Sequence, residues 1–399
     1  CGFLPYYLRV KRSAQAATKG GTMKRYLATT AALALVSGPA MASGLDRTGQ
    51  PIGIIFEEGN YAEFSFATTS VDLSGNDRAT RSDGTPLNPF QSATGDVGER
   101  FNMFGAGYKR DLNEQLSFAL IFDQPWGVDV NYPTTGSLLL GGTTAQADSN
   151  AITALLRYKF NERFSVHGGI RYQEIDGEIN LAGLAYSAIP GGTYNVNVNK
   201  DGAFGWVAGV AYEIPEIALR AALTYSSEIE HDFDLNETFA GAPVLNANTS
   251  TTTKTPQSVN LDFQTGIAAD TLLFGGIRWA EHSVTDLVPA RLGRDLIDLD
   301  DSFTYTLGIG RSFNENWSGS LAFIYADVDG DDLVSPLAPT HGYEAIRLGV
   351  RYKQDNMTIS AGIRYTQLGD AVASPGGNPV TNFQDNDAVS FGLKVGYNF

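Results

Sequence analysis

The end of the chain alternates strictly between apolar residues and small or polar ones. Between residues 388 and 399 the apolar positions are Val389, Phe391, Leu393, Val395, Tyr397 and Phe399. Because successive side chains of a β-strand point to opposite faces, this pattern predicts a strand with one apolar face. A strand of about 9–11 residues with an apolar outer face and a polar inner face is long enough to cross an outer membrane. A soluble β-sandwich that ends on such a strand is the alternative.

Similar segments recur along the chain, and short and long connections alternate between them. Short turns such as Asn161-Glu162-Arg163 alternate with long polar loops such as residues 74–97 and 236–253. This asymmetry is typical of an up-and-down barrel with tight periplasmic turns, and a Greek-key sandwich gives no reason for it. The predicted strands cover residues 59–73, 98–111, 115–132, 148–160, 164–181, 201–212, 217–235, 254–268, 272–285, 302–313, 317–328, 342–352, 357–368 and 388–399. The sequence therefore predicts an all-β fold, a single 14-stranded antiparallel transmembrane β-barrel with a short N-terminal plug segment.

The residues before the first strand resemble an export leader. Lys24 and Arg25 give a positive start, residues 27–36 form an apolar run, and Ala40-Met41-Ala42 is a small-residue cleavage site. The stretch that follows is irregular, and a plain periplasmic tail is the alternative to a plug there. The predicted divisions are an upstream segment (1–22), a signal peptide (23–42), a short hatch-like plug (43–58) and the transmembrane barrel (59–399).

The composition favours an exported, strand-rich protein. Only 18% of the residues are charged, and Gly (44), Phe (22) and Tyr (18) are frequent, which suits many strands with aromatic girdles. A net charge of −16 argues against binding nucleic acid through its phosphates. The single cysteine, Cys1, lies upstream of the predicted cleavage site, so no disulfide framework, Cys metal site or thiol nucleophile is expected. Beyond the leader no apolar run reaches about 18 residues, which excludes a helical membrane protein.

Two stretches resemble a known family of transporters. Residues 254–259, followed by a strand, a tight turn and the sequence Gly-Ile-Arg-Trp at 276–279, resemble the FadL/TodX family, as does the hairpin over 305–329. This family transports long-chain fatty acids and other hydrophobic compounds across the outer membrane. The resemblance implies passive transport, with a ligand captured at the outer loops, held in the lumen and released to the periplasm or laterally. The family's Asn-Pro-Ala hatch motif is absent near the start, which reduces the expected hatch to residues 43–58.

The third predicted strand is interrupted by Pro125 and Gly127. Proline cannot donate a ladder hydrogen bond, and such residues inside a strand break the ladder locally. In the family that this chain resembles, the same strand carries a kink that opens the wall sideways. We therefore expect a strand kink and lateral opening at Pro125 and Gly127. The alternative is that Pro125 only ends the membrane span at the outer rim.

Several arginines fall on the polar phase of their strands, so we expect them inside the barrel. An arginine binds a carboxylate through two parallel hydrogen bonds, which suits the head group of a fatty acid. Ion pairing with lumen acids such as Asp262 and Glu174 is the alternative. The candidates for head-group binding are Arg171, Arg278, Arg347 and Arg364.

A hydrophobic ligand also needs apolar surface. Leu272 and Phe274 lie on the inner phase of their strand, and Leu138, Leu139 and Leu140 form an apolar run in a predicted outer loop. An exposed run of this kind would be unfavourable in water. We expect these five residues to contribute to hydrophobic capture, and packing among the loops is the alternative for the leucine run.

The sequence contains no convincing catalytic or metal-binding set. His231 with Asp232 and Asp234 resembles the His-Asp pair of outer-membrane proteases, but no second acidic pair can be assigned. Residues 327–332 resemble part of a calcium loop, but the glycine stands at the fourth position and no glutamate closes a twelve-residue span. We therefore predict no enzyme, no catalytic residue, no cofactor and no metal.

These features together predict a passive transporter in the outer membrane of a Gram-negative bacterium. Its expected partners are a long-chain fatty acid or other hydrophobic ligand, outer-membrane lipid and lipopolysaccharide, and the barrel-assembly machinery through Phe399. We expect a monomer that binds no nucleic acid. A general porin for small polar solutes is the alternative, and the lumen arginines are its best support.

Overall fold

A closed antiparallel barrel of 14 strands accounts for most of the chain. The computed structural model describes residues 45–399, so the predicted segments 1–22 and 23–42 lie outside it. The barrel closes because β1 pairs with both β14 and β2. The strands are β1 (Tyr61–Asp72), β2 (Phe101–Asp111), β3 (Leu116–Asp123 and Gly127–Asn131), β4 (Thr144–Lys159), β5 (Phe164–Leu181), β6 (Tyr194–Ile214), β7 (Leu219–Ser226 and Ile229–Phe239), β8 (Ala247–Thr255 and Ser258–Ala268), β9 (Thr271–Ala280), β10 (Ser302–Ser312), β11 (Trp317–Val328), β12 (Tyr343–Gln354), β13 (Met357–Leu368) and β14 (Asp387–Asn398). The predicted fold class and strand count are confirmed.

The alternating pattern sets which side chains face the membrane. In β14, Val389 and Phe391 are 42% and 48% exposed on the outer surface, whereas Ser390 and Lys394 are buried inside. Because an outer-membrane strand meets lipid on one face and the lumen on the other, its apolar phase lies outside. In the described residues no helix is long and apolar enough to cross a membrane.

An asparagine shapes each of three short turns. The Oδ1 atoms of Asn113, Asn161 and Asn314 each accept hydrogen bonds from the backbone N–H groups two and three residues later. Such a side chain replaces a backbone acceptor and stabilises a tight turn. The repeated Asn-Glu pair of the sequence therefore fixes the hairpin register at this end of the barrel.

Several strands extend further beyond the membrane than the sequence predicts. β6 begins at Tyr194 rather than near residue 201, and β7 and β8 continue into the predicted loop over residues 236–253. In these extensions the apolar side chains face inward and the polar ones outward, the reverse of the arrangement within the membrane. Phe233 and Leu235 are buried inside, while Asp232 is exposed outside. Above the membrane the outer surface meets water, so apolar residues stabilise the wall only by facing inward.

The outer end is covered by a cap of loops with its own apolar core. Short strands at Ser74–Asp77, Ala93–Asp96, Leu333–Val334, Ala371–Ala373 and Thr381–Phe383 form a small sheet in this cap. Along the whole described chain, in the cap and elsewhere, 3₁₀ turns lie at Gly53–Phe56, Leu184–Tyr186, Pro215–Ile217, Pro243–Leu245, His282–Val284 and Pro375–Gly377. The core of the cap includes Tyr132, Leu139, Leu140 and Phe383, all essentially inaccessible to solvent.

Asp77 connects several loops of the cap. Its buried carboxylate accepts hydrogen bonds from Ser137 Oγ, Thr381 Oγ1 (3.1 Å) and Asn88 Nδ2 (2.9 Å). The backbone N–H of Leu138 also donates to it, at 2.9 Å. One charged acceptor thus holds segments that are far apart in sequence, and the leucine run after Ser137 is positioned by it.

We expect Asp77→Ala to loosen the cap while the barrel stays folded. Each hydrogen bond to a charged group contributes about 1.5–3 kcal/mol, so trypsin cleavage at Arg78 and Arg81 should accelerate about tenfold or more. Cleavage in outer-membrane vesicles, followed by mass spectrometry, measures this. Asp83→Ala is the matched control, since Asp83 lies exposed in the same loop and binds its neighbour Thr85. Equal cleavage rates for both variants and the wild type would contradict the assigned role.

Candidate functional site

The third strand bulges at Gln124-Pro125-Trp126. Its ladder with β4 runs to the pair Asp123↔Ala151 and resumes at Gly127↔Asp148. Three residues of β3 therefore face two residues of β4, which is the geometry of a bulge. The N–H of Trp126 donates instead to the Oγ of Ser149, at 2.8 Å.

The backbone ladder between β2 and β3 is interrupted beside this bulge. The ladder ends at Ala106↔Phe122, and the next pairing among the described residues is the isolated bridge Gly98↔Val130. Between them, the N–H of Phe104 donates to the side-chain oxygen of Gln124 at 2.8 Å. The wall therefore lacks its backbone ladder at the position where the sequence predicts a kink.

The segment before β1 pairs with the bulge from the inside. The N–H of Arg47 donates to the carbonyl of Pro125 (2.8 Å), and the N–H of Gly127 donates to the carbonyl of Leu45 (3.0 Å). Asp46 and Trp126 thus form an antiparallel bridge. The described part of the predicted plug, residues 45–58, lies in the lumen, and its first residues satisfy the backbone groups that the bulge leaves free.

The side chain of Arg47 fills the space next to Gly127. Its Nη2 lies 2.5 Å from Asp129 Oδ2 and its Nη1 lies 3.4 Å from Asp148 Oδ1. The guanidinium also stacks 4.3 Å from the ring centre of Phe101. A Cβ atom at Gly127 would lie 2.4 Å from Arg47 Cζ, so any larger residue would require the guanidinium to move.

Arg278 holds the same segment from the opposite wall. Its Nε donates to Asp46 Oδ2 at 2.6 Å and its Nη1 donates to Asn260 Oδ1 at 2.9 Å. The amide of Asn260 in turn donates to the carbonyl of Gly49 at 2.9 Å. The buried Nη2 of Arg278 has no hydrogen-bond partner among the described residues. Arg278 thus carries one donor that is free for an additional anion.

A cavity of about 180 Å³ lies beside Arg278 in the lower lumen. Arg278, Arg347 and Arg364, three of the four predicted head-group residues, line this cavity together with Arg220. Asp262, uncharged polar residues and apolar residues such as Phe274 complete the lining. The cavity therefore presents cationic and apolar surface together, which matches an amphiphile.

The other predicted site residues lie elsewhere. Arg171 is buried and donates to Thr153 Oγ1 at 2.8 Å, and it is not part of the lower cavity. Leu272 is fully buried behind Phe274. In the outer loop, Leu138 is 46% exposed, while Leu139 and Leu140 pack in the cap core described above. The ligand-binding roles of these residues remain predictions.

A second cavity, of about 110 Å³, lies above the plug segment and below the cap. Its apolar lining includes Leu45, Trp126, Phe233 and Leu337. No lysine, arginine or histidine is among its described lining residues. This upper cavity suits an uncharged apolar group, and the N-terminal segment and the bulge form part of its wall.

Nearby His282 is kept neutral by its surroundings. The ring is fully buried in the turn after β9 and packs edge-on against Trp126, with 5.8 Å between ring centres. Burial lowers the pKa of His282 to about 4. The ring is therefore uncharged at neutral pH and adds no positive charge next to the upper cavity.

The periplasmic end of the lumen is closed by the 3₁₀ turn Gly53–Phe56. The ring of Phe56 is contacted by the guanidinium groups of Arg157 and Arg220, each 4.6 Å from the ring centre. Ile54 and Ile55 are buried in an apolar cluster with Ala119, Leu155 and Val207. Residues 54–56 therefore pack inside the barrel against β3, β4, β6 and β7 near its periplasmic end.

The histidine considered for catalysis in the sequence analysis is held by partners other than the acids next to it in sequence. The Nδ1 of His231 lies 2.9 Å from Asp201 Oδ2, and its Nε2 lies 3.2 Å from Gln173 Nε2, so neither Asp232 nor Asp234 is its partner. Among the described residues, no group of three or more His, Cys, Asp or Glu side chains is arranged to hold a metal ion.

Sequence reasoning missed Asp46, Arg47 and Trp126 as members of the site. Asp46 and Arg47 are adjacent opposite charges in an irregular stretch, which by itself indicates only a solvated tail. A possible signal was the pairing of that charged dipeptide with two unmatched acids, Asp129 of the interrupted third strand and Asp148 of the fourth.

Residues 13–399 match the family model described as "Outer membrane protein transport protein (OMPP1/FadL/TodX)". The chain belongs to the OMPP1/FadL/TodX family. The resemblance noted in the sequence is thereby confirmed, and so is the location in the outer membrane. The family is one of transport proteins, which agrees with the predicted absence of enzymatic activity.

Solved structures share the fold at low identity. A Pseudomonas aeruginosa FadL homologue has a TM-score of 0.74 and 15% identity, over 93% of this chain and 98% of its own. The Pseudomonas putida toluene transporter TodX has a TM-score of 0.58 and 12% identity, over 93% and 94%. The CymD monoaromatic hydrocarbon channel gives 0.55 and 11%, over 92% and 98%. No curated protein matches the sequence.

We expect Gly127→Val to expel Arg47 from the bulge, because the new side chain would occupy the position of the guanidinium. The amide hydrogens of Arg47, Gly49 and Gln50 should then exchange at least about tenfold faster, since an opening that costs 1.4 kcal/mol less is ten times more frequent. Hydrogen exchange with mass spectrometry on the purified barrel measures this.

Asn131→Val is the control, because it places the same side chain on the exposed outer end of β3. If the exchange of residues 45–50 is unchanged in Gly127→Val, the segment is not held by the bulge.

Proposed function

We propose that this barrel passively carries long-chain fatty acids across the outer membrane and releases them sideways at the third strand. The observation that carries this proposal is the position of Arg278, which binds Asp46 of the plug segment and also lines the lower cavity. Ligand enters between the outer loops, its chain occupies the apolar upper cavity, and its carboxylate reaches the arginines below.

The linings of the two cavities support an amphiphilic ligand. The upper cavity is lined mainly by apolar side chains, and the lower one combines four arginines with Asp262 and apolar side chains. Guanidinium groups bind carboxylates through charge-assisted hydrogen bonds, which are about twice as strong as neutral ones. A fatty acid satisfies both environments at once, whereas a small polar solute satisfies only the lower one.

Competition for Arg278 links binding to release. The carboxylate of a ligand competes with Asp46 for the same guanidinium, and the free Nη2 offers a first contact. Once Asp46 leaves Arg278, the bridge between Asp46 and Trp126 loses its support from the opposite wall. Residues 45–47 then separate from the bulge and uncover the open seam between β2 and β3.

A third cavity supports the lateral route. It has a volume of about 100 Å³ and lies at the seam, lined by lumen-facing Met103 and Gly105 and by lipid-facing Phe104 and Leu393. Its lining extends across β14, β1, β2 and β3 beside the bulge, so a ligand there would lie against the interrupted ladder. Because Phe56 and its neighbours close the periplasmic end, we favour sideways release over direct release to the periplasm.

An uncharged monoaromatic hydrocarbon is the second candidate ligand. The upper cavity alone, about 110 Å³, approaches the volume of roughly 150 Å³ of an engineered apolar cavity that binds benzene. Its charged lining residues, Asp148, Asp176 and Glu178, are all acidic, which disfavours a carboxylate at this level. On this alternative the lower arginines only hold the plug.

Uptake of labelled oleate and labelled toluene separates these two ligands. In cells lacking their own transporter, we expect Arg278→Gln to lower oleate uptake roughly tenfold or more, because a hydrogen bond to a charged group contributes about 1.5–3 kcal/mol. Toluene uptake should not fall, because toluene has no carboxylate for Arg278 to bind and the loss of the Arg278–Asp46 contact only loosens the plug segment. Pro125→Ala, which removes the proline from the bulge, should lower both.

Arg110→Gln, which changes a lipid-facing arginine of β2, is the control. Oleate uptake equal to that of the empty vector would remove the fatty-acid proposal. Toluene uptake without oleate uptake would favour the second candidate.

Conductance tests the general porin. Because residues 45–58 occupy the lumen, we expect the wild-type barrel to give no regular conductance steps in a planar bilayer, and deletion of residues 45–58 to produce them. Regular steps from the wild type would instead support passage of small polar solutes.

A further inference from the structure

A chain of buried hydrogen bonds connects the bulge of β3 with a carboxylate on β6. The indole Nε1 of Trp126 donates to Gln173 Oε1 at 3.2 Å, and Gln173 Nε2 lies 3.2 Å from His231 Nε2. The Nδ1 of His231 in turn lies 2.9 Å from Asp201 Oδ2. Trp126 is 2% exposed and Gln173 and His231 are inaccessible, whereas the side chain of Asp201 is 28% exposed. The chain therefore begins at an accessible carboxylate and ends inside the bulge.

The donors in this chain determine its protonation state. An indole N–H can only donate, so Gln173 must present its oxygen to Trp126 and its amide nitrogen to His231. The same NH₂ group donates to Thr255 Oγ1 at 3.2 Å. Because an amide nitrogen offers only donors, Nε2 of His231 has to be the acceptor, and Nδ1 carries the proton that is donated to Asp201. The observed arrangement therefore requires a neutral imidazole.

Asp201 is the charged group that faces the ring of His231 from a neighbouring strand. Asp232 of its own strand adds negative charge from the exposed outer face. The residues beside the ring on β5 and β8 are uncharged: Gln173, Thr253 and Thr255. The two carboxylates thus favour a proton on the imidazole, and the amide of Gln173 opposes it.

We propose that Gln173 is a positioning residue of the lateral opening and holds Trp126 in the bulge only while His231 is neutral. A proton on Nε2 of His231 would face the amide donor against donor, so the amide has to turn its oxygen toward the imidazole. Its NH₂ group then faces the indole N–H, and Trp126 loses its acceptor.

The loss of this acceptor reaches the plug segment through the backbone of Trp126. That backbone lies between the two hydrogen bonds that join Pro125 and Gly127 to residues 45 and 47. A loosened indole therefore loosens the plug segment. The coupling rests on the proposed sideways release, and it makes that release depend on pH.

Amide hydrogen exchange of the purified full barrel, without ligand, tests this coupling. The closed state excludes a proton that the loosened state accepts, so its stability falls as the pH falls. The measurement compares about pH 8 with about pH 5, on either side of the ordinary histidine pKa of about 6.5. We expect the protection factors of the Arg47 and Gly127 amides, corrected for intrinsic exchange, to fall roughly three- to tenfold, the effect of losing one neutral hydrogen bond.

Two substitutions at one position separate positioning from simple packing. Gln173→Met removes the acceptor for the indole, so the two amides should exchange as fast at the higher pH as those of the wild type do at the lower pH. Gln173→Glu keeps the shape, and its carboxylate accepts from both Trp126 and a protonated His231. This variant should therefore stay protected throughout.

His167→Gln is the matched control. His167 is also buried, but it bonds to Thr224 Oγ1 and packs against Phe56 near the other end of the lumen, so this variant should keep the wild-type pH profile. Heat-modifiable mobility on gels confirms that each variant is folded.

Equal protection of the wild type at both pH values overturns the proposal, and so does full protection in Gln173→Met. A pH profile that persists in Gln173→Glu, or one that is lost in His167→Gln, also overturns it. None of these readings depends on the transported molecule, so they are independent of the oleate uptake that tests the proposed function.

Discussion

The hydrogen bonds between the plug segment and the bulge of β3 are the interaction on which the described site depends. A barrel wall in lipid must satisfy its backbone groups internally, because each unsatisfied group costs several kcal/mol there. Pro125 interrupts the wall, and the carbonyl of Pro125 and the N–H of Gly127 are satisfied by Arg47 and Leu45. Residues 45 and 47 thus complete the backbone hydrogen bonding of the wall at the bulge.

Charge pairing explains how so many cations are tolerated inside the barrel. Arg47 pairs with Asp129 and Asp148, Arg278 pairs with Asp46, and Lys394 lies 3.1 Å from Glu63. A buried charge is tolerated when it has a partner, and removing one partner leaves the other uncompensated. The network therefore holds residues 46 and 47 against the walls on both sides of the lumen.

The change of polarity along single strands divides the molecule into two environments. Within the membrane, Phe204 and Trp206 of β6 are 70% and 52% exposed to lipid. Further up the same strand, Tyr194 and Val196 are fully buried inside the cap. One strand is therefore stabilised by lipid on its outer face below and by an apolar core on its inner face above. The upper cavity lies where these two environments meet.

The sequence by itself determined the all-β class, the 14 strands, the short turns and the phase that faces lipid. These features depend on contacts between near neighbours in the sequence and on the lipid that surrounds every strand within the membrane. The sequence also predicted that the third strand is interrupted at Pro125 and that the arginines face inward. It placed the upper limits of β6 to β8 wrongly, because polar and apolar phases exchange where lipid gives way to water. Only the tertiary structure decided that Asp46 lies on Arg278, 232 residues away, and that Arg47 fills the space beside Gly127. Such contacts form because the closed barrel brings distant walls together around an irregular segment. A local pattern of residues does not show which distant residues will meet.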